Sequence, residues 1–475
     1  MNIEFNVGFG RDAGESSESR ALNIVIVGNY SGTFHDGEPP AGDTAIRNML
    51  SVDALDIDSA VEKLRPRLSL QIGDNQMDLQ FSDLDDFHPD NLYRNQPAFA
   101  TISELKQSLA DPGKAEAASI LCRELLGLET ISGDTAAADR PQEVAEEAVP
   151  DDDMFSRLLG RSSSKSAPGN AAARAAVARI LDSADVDADA APEAAASTLA
   201  LQDSLDAWTA SAMRELLGTP EFQDLEASWR SVQWLGERID LDEPPSFWLV
   251  DVGAATAEAW SPELRSRIVQ NAGSVDLLIV LHTFTDTSES LQQLRTLAQA
   301  ASELNTRMFA AASATLVGQH ESAASRQVLD STDFDDAETE EWTALRSQAA
   351  ATRVALGFPR VLLRQPYGKM SDPIDTFDFE ELQAAPDHEA FLWANPAIAL
   401  AVMSLQDEQR VEDLPMVMFD DGTGQAIKPA SEFYLTDSAV EKLLQRGFIP
   451  LTGNRGRTDV RVPRLQSIAS SPTAV

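Results

Sequence analysis

The residues that could carry acid–base, nucleophilic or metal chemistry lie far apart in this sequence. A single cysteine, Cys122, excludes an intrachain disulfide and a cysteine-rich metal cluster. No GxSxG nucleophile motif is present. The five histidines, no two of which are close in sequence, are His35, His88, His282, His320 and His388. We therefore expect no catalytic residues, no cofactor and no metal ion, and hence a protein that is not an enzyme.

Two short patterns resemble parts of ligand sites. Gly28–Gly32 (GNYSG) follows an apolar stretch, as a phosphate-binding loop does, but lacks both the GxGxxG spacing and the Walker GK[ST] ending. Asp83, Asp85 and Asp86 could ligate a metal ion, but the apolar residues among them and the following Pro89 favour the capped start of a helix. Both patterns favour structural roles.

The charge balance excludes several classes of partner. The chain has 475 residues, of which 77 are acidic and 37 basic, for a net charge of −40. Such a polyanion repels nucleic acids and anionic lipid surfaces, and no run of about 18 apolar residues predicts a membrane span. The first 19 residues lack the features of a secretory signal, and one cysteine fits a reducing compartment. We expect a cytoplasmic protein with no nucleic-acid binding and no membrane insertion.

The elements that must position any site begin with an alternating segment. In Met1–Val7 the apolar residues Ile3, Phe5 and Val7 share one face, which predicts a half-buried strand, and a polar tether follows to residue 20. Such a strand could be an ordinary first strand of the chain's own sheet or could pair with the sheet of a neighbouring molecule. A first α/β body is predicted over residues 21–129. Its elements are a strand at Leu22–Val27, a helix at Asp58–Leu64, a hairpin of Leu68–Ile72 with Met77–Phe81, and helices at Pro97–Leu109 and Ala115–Leu128.

The middle of the chain has a different composition. Residues 130–198 are rich in alanine, serine, proline and acidic residues, which predicts a largely disordered linker with short helices at Met154–Leu159 and Ala171–Leu181. A second α/β body is predicted over residues 199–452, followed by a flexible tail over residues 453–475. The fold class is therefore mixed α/β, with two bodies joined by a long linker.

In the second body, strands alternate with helices, which predicts a βαβ unit and a parallel sheet. The segment from Asp413 to Pro450 is otherwise predicted to be poor in strands. The predicted elements are helices at Leu201–Leu217, Pro220–Leu235, Leu291–Leu304, Trp342–Ala355 and Asp437–Gln445, and strands at Phe247–Val252, Leu277–Leu281 and Met308–Ala312.

The second body contains a series of motifs in a recognisable order. Pro220–Leu235 (PEFQDLEASWRSVQWL) resembles a helix of the large subunit of the type VI secretion contractile sheath. Further resemblances follow at Trp342–Arg346 (WTALR), Gly357–Gly368 (GFPRVLLRQPYG), Phe391–Asn395 (FLWAN) and Gly447–Leu451 (GFIPL). Several ordered motifs are more specific than one glycine motif. The structural or interface candidates are Phe222, Trp229, Trp234, Pro359, Arg360, Arg364, Tyr367 and Trp393.

The first body is similar to the small subunit of the same sheath. The resemblance lies in Ile24–Gly32 (IVIVGNYSG), Arg65–Leu70 and Asp83–Leu92 (DLDDFHPDNL). The chain thus resembles a fusion of two subunits that are usually separate, and the resemblance leads us to expect a further tube-facing region after GFIPL that this sequence does not show.

The resemblance implies a mechanical, non-catalytic function as a structural sheath component. Ile3, Phe5 and Val7 would form a strand lent to a neighbouring molecule, so the partners would be other sheath subunits or copies of this chain. The inner tube, the baseplate or an unfoldase ATPase are further candidate partners, the last docking on Met154, Phe155, Leu158 and Leu159. The alternative for this segment is a linker helix that packs on its own body. The alternative is a non-polymerising accessory or regulatory homologue that binds a sheath end, the baseplate or the recycling ATPase.

Overall fold

A seven-stranded, mainly parallel sheet organises the computed structural model of the chain. The structure describes residues 22–33, 45–53, 56–72, 75–125, 191–239, 244–253, 255–323, 326–383, 386, 388–420 and 424–475. The predicted strand at residues 1–7 and the predicted helices at residues 154–159 and 171–181 lie outside this range.

The helices of the described residues are α1 (Asp58–Leu64), α2 (Pro89–Asn95), α3 (Pro97–Ala110), α4 (Ala115–Leu125), α5 (Ala191–Gly218), α6 (Pro220–Arg238), α7 (Ala257–Asn271), α8 (Ser288–Glu303), α9 (Glu340–Arg346), α10 (Ala397–Gln406) and α11 (Asp437–Gln445). Short 3₁₀ helices occur at Leu84–Phe87, Glu321–Ala323, Ser331–Asp333, Ala349–Arg353 and His388–Ala390.

The longer strands are β1 (Asn23–Gly28), β3 (Asn48–Asp53), β4 (Arg67–Ile72), β5 (Asn75–Gln80), β6 (Ser246–Asp251), β7 (Leu277–Phe284), β8 (Arg307–Ala312), β10 (Val354–Phe358), β14 (Val417–Asp420) and β15 (Gln425–Lys428). The two-residue strands are β2 (Gly32–Thr33), β9 (Val328–Leu329), β11 (Val361–Leu362), β12 (Trp393–Ala394), β13 (Arg410–Val411), β16 (Tyr434–Leu435), β17 (Ile449–Pro450), β18 (Thr452–Gly453) and β19 (Val460–Arg461).

The central sheet joins the two predicted bodies. Its strand order is β17-β10-β8-β7-β1-β6-β3, and every pair is parallel except the antiparallel pair of β3 with β6. Strand β1 of the first body therefore lies between β6 and β7 of the second, with Ile24 opposite both Phe247 and Leu277. The mixed α/β class is confirmed, and the two bodies share one sheet.

Successive side chains of β1 point to opposite faces of the central sheet, and each face is covered by an apolar core. Ile24 and Ile26 point into a core that also contains α6 and α10, while Val25 and Val27 point into a core with α7, α8, α9 and α11. All four side chains are buried. An apolar run that is buried on both faces is typical of an inner parallel strand.

The first body adds a small sheet and four helices to one face of the central sheet. In this sheet, of order β2-β4-β5, strands β4 and β5 form the predicted hairpin, with Leu68 opposite Leu79. The chain must pass very close to β4 at Gly32, where φ is +78° and a Cβ would lie 2.0 Å from the carbonyl oxygen of Arg67. Helices α3 and α4 of the first body pack on α5 of the second body.

Three segments correct the sequence predictions. The helix predicted at Trp342–Ala355 ends at Arg346, and Val354–Phe358 is the inner strand β10, because pairing with β8 buries the whole strand. Residues 453–475 are not a loose tail: β19 pairs with β13 and β18, and Ile468 is fully buried. The segment from Asp413 to Pro450 also contains the hairpin β14–β15. Each of its strands has four residues, too few for an alternation of apolar and polar residues to be recognised in the sequence.

Candidate functional site

The loop after β1 is held by groups from the second body. The Oδ1 atom of Asp251, at the end of β6, accepts hydrogen bonds from the backbone N–H of Tyr30 (3.0 Å), Ser31 (3.1 Å) and Gly253 (3.1 Å). Trp229 Nε1 of α6 donates to the carbonyl oxygen of Tyr30 over 3.0 Å. The loop amides that a phosphate would need are thus bound to a carboxylate, and the GNYSG segment has a structural role here.

The aromatic residues of α6 contact both bodies. Phe222 is fully buried and packs edge-on against Phe81 and Phe87 of the first body, with ring centroids 6.1 and 5.8 Å apart. Trp229 meets Tyr30 edge-on at 5.1 Å. Trp234 lies under the guanidinium of Arg238, 4.4 Å from the ring centroid. Phe222 and Trp229 are therefore anchors between the bodies within one chain.

Arg364 and Tyr367 belong to a buried network with Glu226, in the middle of α6. Arg364 donates to both oxygens of Glu226 (2.8 and 3.2 Å) and to both oxygens of Glu381 (2.8 and 3.0 Å). Arg230, one turn from Glu226, donates to it over 2.7 Å and to the hydroxyl of Tyr367 over 3.0 Å. The network fixes the 364–381 segment on α6.

The charges of this network compensate each other. Burial alone would raise the pKa of Glu226, but Arg364 and Arg230 hold that pKa below its ordinary value. Burial would lower the pKa of Arg364, but Glu226 and Glu381 raise it well above its ordinary value. Glu226 and Arg364 therefore both stay ionised, and the network holds the two segments together rather than acting as an acid–base pair.

A second network surrounds Arg360, which follows Pro359 and its cis peptide bond. Arg360 donates to both oxygens of Glu432 (3.1 and 2.7 Å) and to both oxygens of Glu389 (3.0 and 2.7 Å). Burial would raise the pKa of Glu432, but Arg360 and His388 lower it to about 2. Arg360 thereby links β11 to the segment before β16.

His388 completes this network with Lys428 and Trp393. Its Nε2 lies 2.8 Å from Glu432, its Nδ1 lies 3.0 Å from the Lys428 ammonium, and its backbone oxygen accepts from Trp393 Nε1 over 3.0 Å. The His388 ring stacks on Trp393 with centroids 5.3 Å apart. Burial lowers the pKa of Lys428 to about 8, against an opposing effect of Glu432.

A cleft of about 240 Å³ lies between the start of α6 and the end of β7. Open parallel sheets commonly bind ligands in a cleft at the carboxyl ends of their strands. Arg360 and Glu389, which line the cleft, are hydrogen-bonded to each other, and Asp224 accepts from Asn29 over 3.0 Å.

Among the residues described, no cluster of three His, Cys, Asp or Glu side chains could hold a metal ion, and no helix is long and apolar enough to cross a membrane.

The acidic partners in both networks could not be predicted from the sequence. Arg360, Arg364 and Tyr367 were candidate residues, but Glu226, Glu381 and Glu432 were not. Only the i, i+4 spacing of Glu226 and Arg230 on one helix face gave a local signal. Arg364 and Glu226 are 138 residues apart, and such a pairing leaves no local pattern.

Two protein families match this chain, one in its first body and one in its second. Residues 1–119 match the VipA family of the type VI secretion system, and residues 272–468 match the VipB family, described as an EvpB-type tail sheath N-terminal domain. The chain is a fusion of VipA-like and VipB-like sheath regions. The resemblance of its two bodies to the small and large sheath subunits is thus confirmed, and the shared sheet is the place where the two regions meet.

A curated sheath protein is also similar in sequence to this chain. The chain is 25% identical over 282 residues to the type VI secretion system sheath protein TssC1 of Pseudomonas aeruginosa. That match covers 52% of this chain and 56% of the relative, so the chain spans about half the length of the curated relative it matches.

Proposed function

We propose that this chain is a structural component of a type VI secretion contractile sheath or a sheath-like assembly, and that it acts by interlocking with other subunits and not by catalysis. The observation that carries the proposal is the central sheet, in which β1, within the VipA match, pairs directly with β7, within the VipB match, and with β6 on its other side. One chain thus supplies both kinds of sheath region as one packed unit.

A contracting lattice needs subunits that are rigid inside and linked by segments that bend. The buried clamps of Glu226 with Arg364 and of Glu432 with Arg360 support the rigid part, because breaking either would leave an unpaired buried charge. Residues 1–7, with a polar tether behind them, would supply the link as a strand added to a neighbour. They lie outside the described residues, within the range that matches VipA.

The proposed partners are other sheath subunits or copies of this chain, in the cytoplasm. The inner tube, the baseplate and an unfoldase ATPase remain candidate partners of the same assembly. The segment proposed for the ATPase, residues 154–159, lies outside the described residues, and its role rests on the resemblance alone.

Negative-stain electron microscopy of the purified chain tests the proposal. We expect regular polymers whose formation is lost in the variant Ile3→Asp/Phe5→Asp and kept in Asn2→Asp/Asn6→Asp, since only the first pair changes the apolar face. Discrete particles of wild type under all conditions would contradict a sheath role and favour the accessory homologue that binds a sheath end or the baseplate. Turnover of a substrate abolished by one point mutation would contradict the non-catalytic mode.

A further inference from the structure

The hairpin of β14 and β15 presents an apolar pair to solvent. Met418 lies directly opposite Ile427, and their side chains are on the outer face, with 62% and 38% of their surface exposed. Two apolar side chains that face each other across a strand pair stabilise a protein most when another segment shields them from water. Within the described part of the chain, β15 is the one strand that pairs with β14, which leaves the other edge of β14 open.

The opposite face of the hairpin is packed against the protein, so its orientation is fixed. Val417 packs with Leu362, Phe391 and Trp393 in a small apolar cluster, and its opposite neighbour Lys428 is buried beside the same rings. Turning the hairpin over would expose this cluster and the clamp around His388. Met418 and Ile427 therefore cannot be buried by a local rearrangement of the hairpin, and only another segment can cover them.

The central sheet also has an edge, at β3, but that edge has a different character. Asn48, Ser51 and Asp53 of β3 are exposed, and Val52 is buried. Polar and charged residues on an edge strand discourage the addition of another strand. Of these two edges, β14 is the one with large apolar side chains open to solvent.

We propose that the open edge of β14 binds residues 1–7 of a second copy of this chain as an added strand, with Ile3, Phe5 and Val7 on the face of Met418 and Ile427. The inference rests on the proposed function and names the acceptor for its donor strand. The period-two alternation of residues 1–7 matches the repeat of an added strand, in which alternate side chains share a face. The stretch of residues 8–22 can span at most roughly 50 Å, enough to reach a neighbouring molecule.

A peptide-binding experiment tests the acceptor directly. The acceptor is the full-length chain carrying Ile3→Asp/Phe5→Asp, which cannot donate its own strand, and the probe is a fluorescent peptide of residues 1–9 (MNIEFNVGF) followed by anisotropy. We expect saturable binding that Met418→Asp/Ile427→Asp weakens by at least about tenfold, because charges would replace the apolar contact. A peptide with Ile3→Asp/Phe5→Asp is the matched control and should not bind.

A third acceptor variant separates the two edges. Ser51→Asp, on the edge of β3, should leave peptide binding unchanged, and thermal unfolding of each variant checks that the exposed substitutions leave the fold intact. Loss of binding with Ser51→Asp but not with Met418→Asp/Ile427→Asp would overturn the choice of β14.

Two other results would also overturn the inference. One is polymerisation that requires Ile3 and Phe5 although the peptide binds no variant. The other is a monomeric wild type that excludes the peptide while the donor-dead variant binds it, which would mean that each chain occupies its own edge. Polymers that ignore Ile3 and Phe5 would instead contradict the donor-strand part of the proposed function.

Discussion

At the scale of single residues, two buried carboxylates hold the segment from Gly357 to Gly368 in place. Glu226 binds Arg364, and Glu432 binds Arg360, each through both carboxylate oxygens. The guanidinium is the only cation whose flat array of donors fits this double contact, so lysine would not replace either arginine. Removing one member of such a pair leaves the other charged in an apolar surrounding.

Glu432 should therefore contribute to stability in a defined pH range. Its pKa is lowered to about 2 from an ordinary value of 4.5, so the stabilisation is complete above pH 4.5 and is lost as the pH falls toward 2. A shift of this size corresponds to about 3 kcal/mol. In urea unfolding, Glu432→Gln should be less stable than wild type by about that amount at pH 7, with the difference shrinking below pH 4.5.

Glu389 provides the matched control for this prediction. It binds the same guanidinium, but 63% of its side-chain surface is exposed, so solvent screens the pair. Glu389→Gln should cost less than about 1 kcal/mol at pH 7. Equal losses for the two variants, or a Glu432→Gln difference that is constant from pH 7 to pH 3, would show that Arg360 does not set the pKa of Glu432.

At the scale of elements, helix α6 of the second body packs against the first body as well as against its own. Its buried face carries Phe222 against the first body and Trp229 against the loop after β1. The polar Glu226 on the same face is tolerated because two arginines bind it. The helix thus packs by apolar contact and is oriented by hydrogen bonds.

Substitution of Trp229 separates these two contributions. Trp229→Ala should cost about 3–5 kcal/mol, because it leaves a cavity in a fully buried position. Trp229→Phe should cost about 1–3 kcal/mol, since it removes the donor to the Tyr30 carbonyl oxygen and leaves that oxygen without its partner. Both values are measured as free energies of unfolding in urea.

Trp234 is a suitable comparison on the same helix. It is also buried, but its Nε1 has no hydrogen-bond partner among the described residues. Trp234→Phe should therefore cost less than Trp229→Phe, because no bonded donor is lost. If the two phenylalanine variants were equally stable, the bond to Tyr30 would contribute nothing net.

Many elements could be predicted from local pattern, but their pairing could not. The helices Asp58–Leu64 and Asp437–Gln445 have the predicted bounds, since amphipathic periodicity and polar ends define them. Helix α10 was missed because it is apolar on all sides and gives no periodicity. The resemblance supplied Arg360 and Arg364 of the candidate site, whereas their partners Glu226 and Glu432 depend on contacts between distant segments.

At the scale of the whole molecule, the two sheath-type regions form one folding unit. Strand β1 bonds to β6 on one side and to β7 on the other, so the second region alone would have two open strand edges inside its sheet. Helix α2 adds a further contact, because Asp90 accepts from the backbone N–H groups of Asp375 and Thr376. Shared backbone hydrogen bonds make the two regions mutually dependent.

Cutting the chain between its regions should therefore leave the fold intact when both pieces are present. We expect fragments 1–160 and 161–475 to co-purify as a complex when expressed together, with the circular dichroism and urea midpoint near those of the intact chain. Fragment 161–475 expressed alone should be insoluble or unfold without cooperativity, since the absence of β1 opens the edges of β6 and β7 and the absence of the first body uncovers the shared apolar core. The uncut chain should exceed the complex in stability at micromolar concentration, because the linkage raises the effective concentration of each region for the other. A soluble, cooperatively folded 161–475 fragment would show that the central sheet closes without β1, and the dependence inferred from the strand order would be wrong.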